Sequence, residues 1–480
     1  MIPYPAGLLG PIVTVAYFAF AIAVTIHVAL RKRNVRSAIG WIGLAWLSPF
    51  IGAPLYLLLG INRIQRLGVS LGLMDFWSDE TAPRSPHPHE NIATIGHAHF
   101  VGLDRLVGTI TGRPLAAGNR IEVLPDGDTA YPAMLAAIAS AQKSVALCSY
   151  IFDDDQVGRA FIDALKTAKE RGVEVRVLVD ALGARYSRKR TVDSLRRLGV
   201  KAAYFLPTRV PRLFRYSNLR NHRKIMVVDG NLGFTGGMNI RAGHLLSSAP
   251  AYPIRCLHFR VEGPIIADLR RTFATDWSFA TGERLSGPAW AVDTESKGKT
   301  LARGIPDGPD TDIDNMLGVL LGALTAARTS VRIVTPYFLP DEALSAAIKM
   351  ASLRGVEVDV VLPEKSNIFV MDWAMRPQLS ELIDCGCRVY LSPPPFDHAK
   401  IFVVDRLWSL IGSTNWDPRS LRLNFEYNLE CYDPDLAAQL DEMAAARIAQ
   451  AKSLSSPELR GLSWPVLFRD GLARLLTPYL

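Results

Sequence analysis

Two short runs of this sequence place side by side residue types that can do chemistry on an anion. The first reads His222-Arg-Lys224-Ile-Met-Val-Val-Asp229 and continues to Thr235-Gly236-Gly237-Met-Asn239. The second reads His398-Ala-Lys400-Ile-Phe-Val-Val-Asp405 and continues to Gly412-Ser413-Thr-Asn415. In both runs the asparagine follows the histidine by 17 residues. On an extended strand, side chains two apart share a face, so each histidine stands beside a lysine. Core filling explains such a pair poorly: lysine is almost never fully buried unpaired, and an ammonium suppresses protonation of its neighbour. An imidazole next to a cation suits an anionic centre, with the histidine as nucleophile or proton donor. The Gly-Gly and Gly-Ser turns let backbone approach the anion, and Asn239, Ser413 and Asn415 offer donors. One His-x-Lys would mean little; two with matched spacing point to a joint site.

The elements that must carry these motifs also occur twice. Ser144-Val-Ala-Leu-Cys-Ser-Tyr-Ile-Phe152 resembles Ser330-Val-Arg-Ile-Val-Thr-Pro-Tyr-Phe338, and both follow an alanine-rich amphipathic stretch. Arg171-Gly-Val-Glu-Val matches Arg354-Gly-Val-Glu-Val. Each copy reads as helix, apolar strand, helix, Arg-Gly-Val-Glu-Val strand, helix, strand, and then the motif. Short β-branched runs alternating with helical patterns predict an α/β layer structure with largely parallel strands. The expected boundaries are a membrane anchor at 1–66, a linker at 67–115, one repeat at 116–285, a linker at 286–311, the second repeat at 312–445 and an amphipathic tail at 446–480.

From about residue 120 to 440 the sequence resembles the phospholipase D superfamily, whose hallmark is two His-x-Lys-x4-Asp motifs at one active site. Within it the chain is most similar to the bacterial cardiolipin synthases. The supporting blocks are Ala45-Trp-Leu-Ser-Pro-Phe-Ile-Gly-Ala-Pro-Leu-Tyr-Leu-Leu-Leu-Gly60, Thr335-Pro-Tyr-Phe-Leu-Pro-Asp341 and Arg419-Ser-Leu-Arg-Leu-Asn-Phe-Glu426. The resemblance implies two phospholipase D-like α/β/α domains packed about a pseudo-twofold axis behind a two-helix membrane anchor. It also implies a phosphatidyl transfer between two phosphatidylglycerols, through a phosphohistidine, that gives cardiolipin and glycerol. His222 would be the nucleophile and His398 the acid and base. Lys224, Lys400, Asn239, Ser413 and Asn415 would hold phosphate oxygens, and Glu426 would orient a motif histidine. Asp229 and Asp405 complete the catalytic motifs and are expected to support the fold by pairing. No cofactor or metal is implied. One departure stands out: relatives usually carry Asp where this chain has Cys256, as the counterpart of Glu426 for the other histidine.

The charge distribution points to a membrane. Basic residues number 54 and acidic 46, for a net +8. Residues 1–62 hold Arg31, Lys32, Arg33 and Arg36 and no acid, which leaves 50 against 46, or +4, for the rest. Half the surplus therefore sits between two uncharged segments, about 8–30 and 37–62, a pattern of membranes rather than of a nucleic-acid footprint. The first segment is long enough to span a bilayer. Pro49 and Pro54 make the second a kinked span or a re-entrant hairpin. The four basic residues outnumber Arg63 and Arg66 after the second segment, which would place the short loop in the cytoplasm.

Residues 76–100 have linker composition, and His87, His89, His97 and His99 lack the company of a metal site. The five cysteines form no C-x-x-C pair and are expected to be reduced. The stretch 208–222 interleaves Arg209, Arg212, Arg215 and Arg220 with Leu213, Phe214 and Tyr216, which suits anionic headgroups and acyl chains at a pocket mouth. The expected partners are phospholipids, phosphatidylglycerol above all, and the bacterial inner membrane, without nucleic acid. Competing readings are a membrane-anchored phospholipase D that uses water, a nuclease, and a non-catalytic scaffold with a degenerate site.

Overall fold

The computed structural model describes residues 6–32, 35–60, 92, 98–186, 190–207, 219–309 and 312–477. Most of the arginine-studded stretch (208–218), His87, His89, His97 and the last three residues lie outside that set. The described residues fall into a small helical unit, 6–60, and a large α/β unit.

In the small unit, α1 (Ala6–Arg31) is one unbroken apolar helix, and its residues Gly10–Arg31 are long and apolar enough to cross a membrane. The second apolar segment does not make a matching span. It forms α2 (Val35–Leu47) and α3 (Pro49–Leu55), broken at Ser48, before a π turn over Tyr56–Gly60. At about 1.5 Å per residue, the 13 residues of α2 reach about 20 Å, short of a hydrocarbon core of about 30 Å. The break folds the segment back on itself: a Cβ on Gly52 would lie 2.6 Å from the Leu44 carbonyl oxygen. Trp46 Nε1 donates to Thr25 Oγ1 at 3.0 Å, and His27 Nδ1 meets Tyr56 Oη at 2.7 Å, so α2 and α3 lie back along α1.

The large unit is built from two copies of one strand series. The first contributes β1 (Ala116–Pro125), β2 (Ser144–Ser149), β3 (Glu174–Asp180), β4 (Lys201–Phe205), β5 (Arg220–Asn221), β6 (Ile225–Val228), β7 (Leu232–Gly236), β8 (Ile254–Arg255) and β9 (Leu257–Glu262). The second contributes β10 (Thr300–Asp307), β11 (Ser330–Val334), β12 (Glu357–Pro363), β13 (Arg388–Ser392), β14 (Phe396–Asp397), β15 (Ile401–Val404), β16 (Trp408–Gly412) and β17 (Asn424–Tyr432). A short β18 (Lys452–Leu454) closes the second edge. Among the described residues one sheet runs β18-β13-β12-β11-β15-β16-β17-β10-β1-β9-β7-β6-β2-β3-β4. From the antiparallel β1–β10 contact outward, the two directions repeat the same order, so the pseudo-twofold axis passes between these strands.

The repeated Arg-Gly-Val-Glu-Val blocks show why each copy folds alike. The helices Gln156–Glu170 and Glu342–Leu353 begin at Asp155 and Asp341, which accept backbone N–H bonds from Gly158 and Leu344. They end where Gly172 and Gly355 take φ of +90° and +92°, angles that favour glycine. Arg171 and Arg354 turn back to donate to the last carbonyls of the preceding alanine-rich helix, at Ile138 and Leu324, both at 3.0 Å. The next three residues enter β3 and β12, each parallel to the apolar strand before it.

Two stretches expected as linkers are built into the core. Residues Thr300–Asp307 form β10, buried along its whole length at the centre of the sheet. Val101–Thr111 forms a helix whose buried Asp104 pairs with Arg303 of that strand. Glu430 completes the cluster at 3.1 Å from Arg303. His99 bonds to Asp405 at 3.1 Å, a contact of the fold and not of a metal cluster. All five cysteines are free thiols.

Candidate active site

Each motif strand is held by the other half of the molecule. β5 runs parallel to the start of β17, with Arg220 opposite Asn424 and Asn221 opposite Phe425, and the His222 N–H donates to the Phe425 carbonyl at 2.9 Å. The mirror arrangement joins β8 to β14, with Ile254 opposite Phe396 and Arg255 opposite Asp397, and the His398 N–H donates to the Arg255 carbonyl at 2.7 Å. These exchanged strands bring the two histidines together, their ring centroids 6.4 Å apart at 80°. Both line a cavity of about 370 Å³ with Asn239, Asn415, Tyr150 and Tyr337. That is larger than a phosphate alone and within the usual range of small-molecule sites, about 300–1,000 Å³.

The lysines sit beneath the histidines, 2% and 6% exposed. Lys224 Nζ donates to the His222 carbonyl at 2.5 Å and Lys400 Nζ to the His398 carbonyl at 2.7 Å. Burial pulls Lys224 down to about 7 and Lys400 to about 8, while Glu426 pulls the other way in both. Two cations held this far from water are stabilised by an anion in the cavity.

The two histidines have unlike partners. His222 Nδ1 lies 2.9 Å from both carboxylate oxygens of Glu426. Glu426 is itself buried and accepts from Ser413 Oγ at 2.5 Å and from Asn424 Nδ2 at 3.1 Å. Burial alone would raise its carboxyl, but His222, Lys224 and Ser413 hold it below its ordinary value. A carboxylate on Nδ1 fixes the proton there and leaves the Nε2 lone pair for the cavity. Burial lowers His222 to about 4 against the pull of Glu426, so the ring is neutral near pH 7.

His398 has no such carboxylate. Its Nδ1 lies 3.1 Å from the Gly237 carbonyl, 3.1 Å from Lys400 Nζ and 3.9 Å from Cys256 Sγ. Cys256 follows Arg255 as Glu426 follows Phe425, so the strand register puts the thiol at the counterpart position. Burial pushes that thiol up to about 12, so it brings no charge to the ring. Burial and the lysines lower His398 well below its ordinary value.

Not every expected residue reaches the cavity. Asn239 does: its Oδ1 accepts from the Ile151 N–H at 3.1 Å, which leaves the amide nitrogen for a ligand. Asn415 also lines the cavity, with Nδ2 on Ser420 Oγ at 3.1 Å. Ser413 does not line it. Its hydroxyl is taken by Glu426 and receives the Tyr427 N–H at 3.0 Å, so it supports the carboxylate instead of offering a donor to phosphate. Asp229 and Asp405, counted with the catalytic motifs, lie beyond the far ends of β6 and β15. Asp229 accepts the N–H groups of Gln142, Lys143 and Ser144 at 2.7–2.9 Å, and Asp405 those of Arg328, Thr329 and Ser330. Both fasten the motif hairpin to the start of the apolar strand.

Sequence reasoning passed over Tyr150, Phe396, Ile254 and Asn424, all of which line the cavity. Arg220, which the sequence presents as part of the arginine-studded stretch, lines it too. Its place two residues before His222, on the same strand face, was the signal available.

The geometry has counterparts among known proteins. The family described as "Cardiolipin synthase, PLD-like domain" matches residues 134–254 and 320–447, one match per half. This chain belongs to that family. The family described as "Phospholipase D-nuclease N-terminal" matches residues 19–60. Cardiolipin synthase A of Pseudomonas fluorescens is 32% identical over 476 residues, covering 98% of each chain. Cardiolipin synthase 1 of Staphylococcus epidermidis is 30% identical over 495 residues, covering 99% of each. Among solved structures, the phosphatidylserine synthase of Haemophilus influenzae shares the fold, with TM-score 0.62 and 16% identity over 79% of this chain and 100% of that one.

Proposed function

We propose that the chain joins two phosphatidylglycerol molecules into cardiolipin and releases glycerol. The observation that carries this reading is the convergence of His222 and His398, one from each half, across one cavity above two buried lysines. His222 is the nucleophile, because Glu426 holds its Nδ1 proton and leaves Nε2 unprotonated. In the first half-reaction a bond forms from His222 Nε2 to phosphorus, the bond to the glycerol oxygen breaks, and His398 gives that oxygen its proton. In the second, the acceptor hydroxyl gives its proton to His398 and its oxygen bonds to phosphorus. The phosphorus–nitrogen bond then breaks and His222 is restored. Lys224, Lys400, Asn239 and Asn415 stabilise the charge on the non-bridging oxygens as each five-coordinate state forms. The phosphate raises the pKa of the nearby imidazoles, so His398 takes up its proton with substrate bound.

The enzyme works at a membrane, of the bacterial inner-membrane kind. Helix α1 spans it, and the broken α2–α3 segment is re-entrant. The catalytic unit carries a second contact. Helix Trp464–Leu475 packs on helix Phe369–Asp384, with Arg469 over the Trp373 ring at 4.4 Å and Arg376 3.4 Å from Asp470. Its other face leaves Trp464 73%, Phe468 54% and Leu475 69% exposed. An exposed apolar face with arginines beside it suits the interface of an anionic bilayer.

The test is incubation of the purified full chain with labelled phosphatidylglycerol in mixed micelles, followed by separation of the lipids. Cardiolipin plus glycerol is expected, abolished by H222A and by H398A. Phosphatidic acid alone would make the chain a hydrolase, and survival of activity in either variant would overturn the two-histidine mechanism.

A further inference from the structure

Five residues after the asparagine of each motif stands a residue that lines the cavity, His244 after Asn239 and Ser420 after Asn415. The two are differently engaged. Ser420 Oγ receives Asn415 Nδ2 at 3.1 Å and donates to Asp417 Oδ2 at 3.4 Å. His244 is 1% exposed, and its Nδ1 meets the Ile254 carbonyl at 3.1 Å. A carbonyl only accepts, so Nδ1 carries the ring proton and Nε2 carries a lone pair. Among the described residues no second group hydrogen-bonds to this ring, and Nε2 is not sealed inside the protein but opens on the cavity. Burial lowers His244 to about 3 against the pull of the Ile254 carbonyl, and Arg241, Lys400 and Lys224 add to the lowering. The ring is therefore neutral near pH 7.

We infer that His244 selects the alcohol: its Nε2 accepts a hydrogen bond from the glycerol hydroxyl next to the one that reacts. This role rests on the transfer reading above and adds to it what distinguishes a glycerol from a simple alcohol. An ionised phosphate diester has only acceptors, so a neutral nitrogen lone pair has nothing to bond to on it. The donors of a glycerol headgroup are its hydroxyls. One of them exchanges its proton with His398, and the other is left for Nε2. The departing glycerol and the attacking headgroup pass through the same place beside His398, one forward and one in reverse, so a single residue serves both half-reactions.

The placement fits that role. The His398 N–H donates to the Arg255 carbonyl and His244 Nδ1 to the Ile254 carbonyl just before it. Successive carbonyls of an extended strand point to opposite sides, so the two histidines flank β8. His244 therefore stands with the histidine proposed as acid and base, where the alcohol leaves and enters, and it is near enough to help lower His398. The turn that carries it, Ala242–His244, is firmly held. Buried Tyr131 places its hydroxyl 2.6 Å from the Asn239 carbonyl and 3.0 Å from that of Arg241, and Asp155 accepts the Ala242 N–H at 2.5 Å. A contact fixed before the substrate arrives needs little ordering on binding.

The experiment offers two small alcohols that differ by one hydroxyl. The full chain, in micelles of labelled phosphatidylglycerol with equal 1-propanol and 1,2-propanediol, divides one phosphohistidine between phosphatidylpropanol and phosphatidylpropanediol. Their ratio is independent of the first half-reaction. The wild-type chain is expected to favour the diol. H244N keeps an N–H for the Ile254 carbonyl and removes the acceptor at Nε2. It is expected to lower the diol-to-propanol ratio about three- to tenfold, the usual worth of one neutral hydrogen bond. H244Q, whose amide oxygen reaches the Nε2 position, is expected to keep part of the preference. If H244N fails to fold, H244F, which also lacks the acceptor, decides the matter. A wild-type chain with no preference for the diol overturns the inference, and an unchanged ratio in H244N reduces His244 to a prop for β8. Cardiolipin without either alcohol product overturns it too, because recognition of paired hydroxyls would admit the diol. Phosphatidic acid as the one product of the wild-type chain overturns the transfer reading itself.

Discussion

The Glu426 carboxylate reaches His222 from the opposite half of the molecule and meets its Nδ1 at 2.9 Å through both oxygens. One histidine thus has its tautomer fixed by a charge, while its partner, His398, meets a carbonyl, an ammonium and a thiol. The chemical asymmetry of the site lies in this pair.

Replacing Glu426 with Gln should lower turnover about 10–100-fold, the usual cost of losing an orienting carboxylate. Glu426 raises the pKa of His222, so its loss should also move the acid limb of the pH profile to lower pH. A stopped assay across pH reads both, and a fall in rate with an unmoved acid limb would reduce Glu426 to a packing role.

Cys256→Asp places a carboxylate beside His398 Nδ1 and Lys400. The change is expected to raise the His398 pKa and, with it, turnover near neutral pH. Equal or lower turnover in a variant with unchanged melting temperature would refute this.

The rate should fall on both sides of neutrality. As the proposed nucleophile His222 has to be neutral, and its pKa of about 4 puts the acid loss below that value. In the proposed role of holding phosphate Lys224 and Lys400 act as cations, so binding is expected to weaken as pH rises through about 7 to 8. Titration with tungstate, a phosphate mimic, should show affinity that declines over that alkaline window. Affinity flat to pH 10 would contradict the lysine placement.

Asp229→Ala removes the acceptor of three backbone N–H groups and touches nothing in the cavity. A loss of about 1–3 kcal/mol of stability is expected, with kcat per folded molecule nearly unchanged. Urea melts and active-site-normalised rates separate the two effects. A large fall in kcat without loss of stability would return Asp229 to the catalytic set.

Trp464→Ala with Phe468→Ala should weaken binding of the full chain to anionic vesicles when α1 is held in detergent, and raise KM for micellar substrate more than it changes kcat. Co-flotation with phosphatidylglycerol vesicles is the direct readout, and undiminished flotation would leave this helix with a packing role alone.

The sequence by itself determined what depends on neighbours along the chain. Alternation put His222 beside Lys224 and His398 beside Lys400, and the Arg-Gly-Val-Glu-Val blocks marked a helix end, a left-handed glycine and a strand in each half. An uncharged run of sufficient length marked α1. Tertiary structure decided what depends on distant segments. Thr300–Asp307 carries Gly304, Pro306 and a charged Arg303, which read as linker. It is a central strand because Asp104 and Glu430 neutralise Arg303 inside the core. Ser413 stands where a phosphate donor was expected, yet its hydroxyl is drawn to Glu426, 13 residues on. The exchange of β5 and β8 between the halves sets which partner each histidine receives. It also brings Arg220 and Phe396, one from each exchanged pair, to the lining of one cavity. Spacing along one strand fixes which side chains share a face; only the pairing of strands remote in sequence fixes what that face meets.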